Sequence, residues 1–263
     1  MLPLAFWPTE DGRQITGVFT DIDDTLTTEG AITAEALQAL ADLKAAGLTV
    51  IAITGRPVGW SAPFALSWPV DAIVAENGAV ALVPDKHQQI LSKRYQQDAA
   101  TLAANYQRLQ TVAQQVLREV PGTKLATDSA GRETDIAIDH SEFTHLSPEQ
   151  IASVVRLMQR EGCNASVSSI HINAWLGTHN KWQGARWIVR ELLGRTLEDE
   201  LARWVFVGDS SNDQLMFENF AHSVGVANIR RFEAVLTFKP GYITQGERGA
   251  GFAEVARALL GSR

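Results

Sequence analysis

Residues 17–25 read Gly-Val-Phe-Thr-Asp-Ile-Asp-Asp-Thr, and the fold turns on how they are read. The run from Gly17 to Thr20 shows no polar alternation and stops at Asp21, Asp23 and Asp24, with Thr25 next. A strand without a period of two has both faces buried, the habit of parallel sheets with helices on each side. The same punctuation recurs along the chain. Thr49-Val-Ile-Ala-Ile53 runs into Thr54-Gly55-Arg56-Pro57, Asp71-Ala-Ile-Val-Ala75 into Glu76-Asn77-Gly78, and Trp204-Val-Phe-Val207 into Gly208-Asp209-Ser-Ser-Asn212-Asp213. Helical stretches lie between them. One starts at Thr33 as N-cap, repeats through Leu37, Leu40 and Leu43, and closes at Gly47. Another covers Asn180 to Leu193, a third surrounds Leu215, Met216 and Phe217, and His222 opens a further strand.

The middle of the chain reads differently. Asp98 to Glu119 has a helical period through Leu102, Tyr106, Leu109, Ala113 and Val116, stopped by Pro121-Gly122. Ser147-Pro-Glu-Gln150 starts a second helix with a capping box. Thr134-Asp-Ile-Ala-Ile-Asp-His and Ser169-Ile-His-Ile-Asn-Ala-Trp alternate strictly, as strands with one solvated face do. The expected organisation is an α/β, Rossmann-like parallel-sheet core over 1–81 and 178–263, with an inserted α+β cap domain over 82–177.

Composition limits the partners. The chain has 263 residues, with 23 Lys and Arg against 30 Asp and Glu, a formal net charge of −7. It has no global attraction for nucleic acid or anionic membranes, whereas a local site for a small anion is compatible with it. Cys163 is the only cysteine, so no intrachain disulfide forms, and with no His or Cys beside it the thiol reads as passive. No apolar run reaches the ~18–20 residues that span a bilayer. The N-terminus lacks the basic start and cleavage site of a secretory signal, so a cytoplasmic protein is expected.

In an open parallel sheet the ligand site lies beyond the carboxyl ends of the strands. That places Asp21, Asp23, Asp24, Asp209 and Asp213 on one rim with Thr54 and Arg56. Such carboxylates do not stay ionised together without a cation, and Mg²⁺ suits a site with few carboxylate ligands. A cation beside carboxylates fits phosphoryl chemistry, with an Asp as nucleophile.

The motifs resemble those of the haloacid dehalogenase superfamily of phosphatases. The first is Asp21-Ile22-Asp23-Asp24-Thr25, the second Thr54, the third Lys181 in Asn-Lys-Trp-Gln-Gly, and the fourth Gly208 to Asp213. The insert, with Thr-Gly-Arg-Pro and Glu-Asn-Gly-Ala, is similar to the class II, subtype B cap of Cof-like and sugar-phosphate phosphatases. The resemblance implies Asp21 as nucleophile and Asp23 as general acid and base, with Thr54 and Lys181 on the phosphoryl oxygens. It implies Mg²⁺ held by Asp21, the Asp23 carbonyl and Asp209, with Asp213 supporting directly or through Lys181. Asn212 and the Gly55 amide would help to place phosphate. Asp24 stands where many relatives have Gly. The implied substrate is a small phosphorylated sugar or sugar-acid conjugate. A phosphomannomutase-like mutase is the alternative, and a phospho-receiver signalling domain a more distant one.

Other residues carry two readings each. Arg56 contacts substrate or fixes its own loop. Asn77 lines the site or serves an Asn-Gly turn, the commoner use. His171, Asn173 and Trp175 share one face of a cap strand, which either closes over substrate or is solvated. Arg132 and Asp135 have the same status. Trp60 and Trp68 flank the cleft or pack the core.

Overall fold

A computed structural model describes residues 1–263. The chain opens with β1 (Leu2–Pro3), α1 (Thr9–Gln14) and β2 (Gly17–Thr20), then the small hairpin β3 (Thr27–Thr28) and β4 (Ala31–Ile32). It continues through α2 (Ala34–Ala45), β5 (Thr49–Ile53), α3 (Val58–Ser67), β6 (Ala72–Ala75), β7 (Val80–Asp85) and β8 (Ile90–Tyr95). The middle holds α4 (Ala99–Glu119), β9 (Lys124–Leu125), β10 (Asp135–Asp139), α5 (Pro148–Arg160), β11 (Asn164–Val167) and β12 (His171–Trp175). The last third is α6 (Lys181–Leu193), β13 (Trp204–Gly208), α7 (Gln214–Asn219), β14 (His222–Gly225), β15 (Tyr242–Ile243) and α8 (Arg248–Gly261).

Nine strands form one sheet in the order β1-β15-β14-β13-β2-β5-β6-β7-β8. β2 is central and pairs in parallel with β13 and β5. Successive side chains of these strands enter different cores. Val18, Val50, Ala52, Val205 and Val207 pack on one face with α2 and α8. Phe19, Ile51, Ile53, Trp204 and Phe206 pack on the other with α6 and α7. Both faces are covered, which is why the runs show no polar alternation. In α2, Thr33 caps as expected, its Oγ1 accepting from the Ala36 amide at 3.2 Å. Leu40 and Leu43 are buried but Leu37 is exposed, and Ala36 and Ala39 complete the packed face in its place.

The sheet extends further into the middle of the chain than its sequence suggested. β7 pairs antiparallel with β6, and β8 with β7, so residues 82–95 continue the core sheet and do not belong to the insert. The separate sheet, in the order β11-β12-β10-β9, is built after residue 123 and is antiparallel. α4 and α5 pack on one of its faces through Leu109, Val112, Val116, Val154 and Met158, against Ile136, Ile138 and Ile172. The first half of α4 lies outside this core: Tyr106 is exposed and Leu102 half-buried, so only the period from Leu109 onward does packing work. The Ser147–Gln150 capping box of α5 is present.

The polar faces of β10 and β12 are not solvated. Asp135, Asp139, His171 and Asn173 are all buried, because this face lies against the carboxyl rim of the core sheet. The approach is close: a Cβ on Gly59 of α3 would sit 2.8 Å from the Gly131 Cα. Only glycine on both sides permits that contact.

Candidate active site

Asp21 follows β2 directly, and Asp209 follows β13, its parallel neighbour. The two carboxylates therefore sit side by side at one strand end, with Asp213 one turn further on. Oxygen atoms of Asp21, Asp209 and Asp213 lie within 4.8 Å of one another, and all three residues are buried. Lys181, the first residue of α6, reaches in from the opposite side. Its Nζ donates to Asp21 Oδ1 at 2.6 Å and to Asp213 Oδ1 at 2.7 Å. The start of α6 is seated by another close approach. Gly78 has φ +107°, and a Cβ on Gly184 would lie 2.6 Å from its Cα. A side chain at either position would push Lys181 out of the rim.

Burial pushes the Asp21 carboxyl up to about 7, against the pull of Lys181 and with a further push from Asp213 and Asp23. Asp209 is held well above the ordinary carboxylate range by burial, and the charges of Asp21 and Asp213 add to this. Burial opposes the Lys181 charge too, but Asp21 and Asp213 together keep the ammonium more firmly protonated than usual.

These residues fit a divalent cation. Asp209 Oδ1 is buried without a hydrogen-bond partner, while Oδ2 accepts from Asn228 Nδ2 at 3.0 Å. A carboxylate held by one oxygen, with the other buried and free, has the form of a metal ligand. Asp213 is different: Oδ1 is on Lys181 and Oδ2 accepts from the amides of Asp209 and Ser210. Its direct contacts hold Lys181 and the Asp209 loop. Asn228 was not anticipated. Its place just beyond the next strand, β14, is the signal that would have found it, since it belongs to the same rim.

The remaining expected residues gather at the same place. Thr54 is buried, and its Oγ1 accepts from the Arg56 amide at 3.0 Å, which leaves its O–H as a donor. Asn77 has φ +56° and its amide donates to the Thr54 carbonyl at 2.9 Å, so it makes the turn, and it lines a cavity beside the catalytic rim, not the space around Asp21 itself. Asn212 Oδ1 accepts from Ser210 Oγ at 2.9 Å. Asp24 has φ +55°, a conformation that suits glycine and that Asp adopts more readily than most side chains, and its carboxylate pairs with Arg248 at 3.0 Å.

Arg56 ties the site loop to the cap side. Its Nε donates to both oxygens of Asp23 at 2.9 and 3.0 Å. Its other nitrogens reach Asp128 at 3.1 Å and Glu142 at 2.9 Å, both on the cap side. Trp60 lies under the guanidinium at 4.9 Å, and Trp68 packs in the core cluster. Arg132 answers from the cap. It donates to the Gly55 carbonyl at 3.0 Å and to Asp135 Oδ1 at 2.8 Å, and Asn173 Nδ2 also donates to the Gly55 carbonyl at 3.3 Å. His171 Nε2 lies 3.0 Å from Glu142 Oε2. The His171 hydrogen bond and the Arg56 charge pull the Glu142 carboxyl down to about 2. Glu76, buried in the core, accepts from Val58 N at 3.1 Å and from Glu133 N at 2.9 Å. Glu142 and Glu76 carry no local sequence signal, because their side-chain partners lie 18 to 86 residues away, and Asp128 joins the nearby Arg132 to Arg56, 72 residues off.

The effect is a closed site. The space bounded by Asp21, Asp23, Gly55, His171, Asn173 and Asn212 is about 10 Å³, room for one water. Admission of a phosphate requires this cap face to withdraw, which separates Arg56 from Asp128 and Glu142.

Residues 18–119 match the family profile described as haloacid dehalogenase-like hydrolase. No curated protein matches the chain. Among solved structures, a HAD/COF-like hydrolase from Plasmodium vivax is 15% identical with a TM-score of 0.71, over 97% of this chain and 100% of that one. The sucrose-phosphatase from Synechocystis, solved with sucrose and phosphate, is 16% identical with a TM-score of 0.65, over 94% and 98%. A HAD subclass IIB sugar phosphatase is 16% identical with a TM-score of 0.64, over 94% and 100%. At these identities the likeness is one of fold.

Proposed function

We propose that the chain, whose residues 18–119 match the profile described as haloacid dehalogenase-like hydrolase, is a Mg²⁺-dependent phosphomonoester phosphatase acting through an aspartyl-phosphate. Its substrate is a phosphorylated sugar or sugar-acid conjugate. The observation that carries the reading is the buried chain Asp21–Lys181–Asp213, at 2.6 and 2.7 Å, beside the free oxygen of Asp209. The sugar-phosphatase fold neighbours support the substrate class.

Asp21 attacks phosphorus while the bond to the leaving oxygen breaks, and Asp23 gives that oxygen its proton. Asp23 then takes a proton from a water, which attacks the phosphorus of the acyl phosphate and releases phosphate and the Asp21 carboxylate. Lys181 and the Thr54 hydroxyl donate to the phosphoryl oxygens throughout. Asp21, Asp209 and the Asp23 carbonyl would hold Mg²⁺, which when bound offsets charge on the phosphoryl group. The cap face, closed by Arg132 and Asn173 on the Gly55 carbonyl, keeps bulk water from the intermediate.

Chelation tests the reading. Excess EDTA should abolish hydrolysis and added Mg²⁺ restore it. Mg²⁺ at about 100 times its Kd should also stabilise the metal-free protein by about 2.7 kcal/mol. Asp209→Asn should remove that increment. Full activity in excess EDTA would sink the metal-dependent mechanism.

A further inference from the structure

Glu76 follows β6 of the core sheet and is wholly buried, yet every group it bonds is neutral. Its Oε1 accepts from the Val58 amide at 3.1 Å and from the Glu133 amide at 2.9 Å. Its Oε2 accepts from the amide and the hydroxyl of Thr134, each at 2.5 Å. Val58 opens α3 in the core, whereas Glu133 and Thr134 lead into the cap strand β10, so one carboxylate spans both. The backbone here is forced. Glu76, Asn77 and Gly78 have φ +50°, +56° and +107°, left-handed residues in succession. For Glu that region is strained, and strain persists where its surroundings over-determine it. The Glu76 amide donates to the Arg56 carbonyl at 3.0 Å, and the Asn77 amide holds the Thr54 carbonyl. With the Val58 bond, the Glu76 turn fixes the 54–58 loop, and the same carboxylate fixes the cap.

The clasp sits at one particular end of the cap sheet. Asp135, next after Thr134, pairs with Trp175, and Asp139 at the far end of β10 pairs with His171. The chain returns to the core just beyond Trp175. There Gln97, on the outgoing chain between β8 and α4, donates through Nε2 to the Leu176 carbonyl at 3.0 Å. The clasp and both chain crossings therefore share one end. The other end carries Glu142, bonded to Arg56 at 2.9 Å with its side chain 19% exposed. The two ends differ in what parting costs. Lifting the clasped end strips a buried anion of every donor but the Val58 amide, a heavy penalty. The Arg56–Glu142 pair borders solvent and parts more cheaply.

We propose that Glu76 is a positioning residue: its carboxylate is the fixed point about which the cap turns, and it registers the cap on the 54–58 loop. Phosphate enters as the Glu142 end swings away. On return, Arg132 and Asn173 meet the Gly55 carbonyl and Arg56 meets Glu142. Glu76 acts on the reaction through Thr54, Arg56 and Arg132, whose backbone or sequence neighbours it holds. As a statement about the reaction this rests on the phosphatase reading, whereas the movement itself does not.

Variants of the full chain test it. Glu76→Gln turns an NH₂ toward either the Val58 amide or the Thr134 donors, so one side of the clasp is lost in either orientation. Should that variant not fold, Thr134→Val deletes the cap hydroxyl alone at nearly constant volume, and Thr134→Ser keeps it. The first readout is hydrogen exchange without metal or substrate. In Glu76→Gln and Thr134→Val, residues 54–58 and 131–135 should exchange together roughly 10-fold faster, the effect of losing one hydrogen bond to a charged group. Residues 209–213 should be unchanged, and Thr134→Ser should match wild type. The second readout is p-nitrophenyl phosphate hydrolysis. In Glu76→Gln and Thr134→Val, kcat should fall by roughly 10-fold while the Kd for Mg²⁺ stays at the wild-type value, and Thr134→Ser should restore kcat. Faster exchange throughout the chain, faster exchange in 131–135 with 54–58 unmoved, or Thr134→Ser as impaired as Thr134→Val would overturn the positioning role. A wild-type chain that hydrolyses no phosphomonoester would sink the phosphatase reading, and the exchange pattern would still decide whether the cap turns on Glu76.

Discussion

Asp21→Asn should lower kcat by roughly 10⁴-fold or more, because an amide is no nucleophile toward phosphorus and the covalent route has no substitute. The same substitution should not harm folding. Asp21 lies against Asp209 and Asp213, and its carboxyl is pushed up to about 7, so native Asp21 is an uneasy anion in the metal-free protein. The neutral isostere relieves that repulsion while leaving Lys181 its bond to Asp213. A thermal melt equal to or above wild type, together with lost turnover, separates chemistry from folding. Retention of more than a trace of activity would refute the nucleophile.

Lys181→Met should act on stability as well as activity. Lys181 is 3% exposed and bonds two buried carboxylates. Removing one partner of a buried ionic cluster typically costs about 3–5 kcal/mol, since the charges left behind keep their desolvation penalty. The loss has a sign in pH. Burial already raises the folded pKa of Asp21 above its unfolded value near 3.8, and taking away the ammonium raises it further. A group so shifted contributes stability that is full below the unfolded pKa and is lost as pH rises through the folded one. The variant should therefore lie closest to wild type near pH 5 and furthest below it near pH 8. Urea unfolding of metal-free protein at both values checks this, and a pH-independent difference would mean that Asp21 does not titrate against Lys181.

The legible parts of this molecule were those governed by neighbours in sequence. Thr33 and Ser147 announce their helices because a cap bonds an amide three residues on. Asp21, Thr54 and Asp209 announce a site because buried parallel strands must end somewhere and ligands sit at their carboxyl ends. What failed was set by distant partners. Residues 82–95 look like the start of an insert until β7 finds β6, and nothing within β8 encodes that it follows. Alternation in β10 and β12 showed one polar face correctly, but a period of two cannot say whether water or protein covers it. The cover is the core rim, and it explains why Arg132, Asp135, His171 and Asn173 are spent on closure. Arg132 and Asn173 hold the cap face to the core through the Gly55 carbonyl.

Covalent participation of Asp21 is the claim on which the rest depends, and chemical trapping tests it most directly. The wild-type chain is mixed with a phosphomonoester that it turns over, quenched within a few turnovers and reduced with borohydride, which converts an acyl phosphate to the alcohol. Peptide mass spectrometry should then find homoserine in place of aspartate at residue 21, only when substrate was present. Conversion at Asp23 or Asp209, or none in a preparation that is turning over, would contradict the aspartyl-phosphate at Asp21.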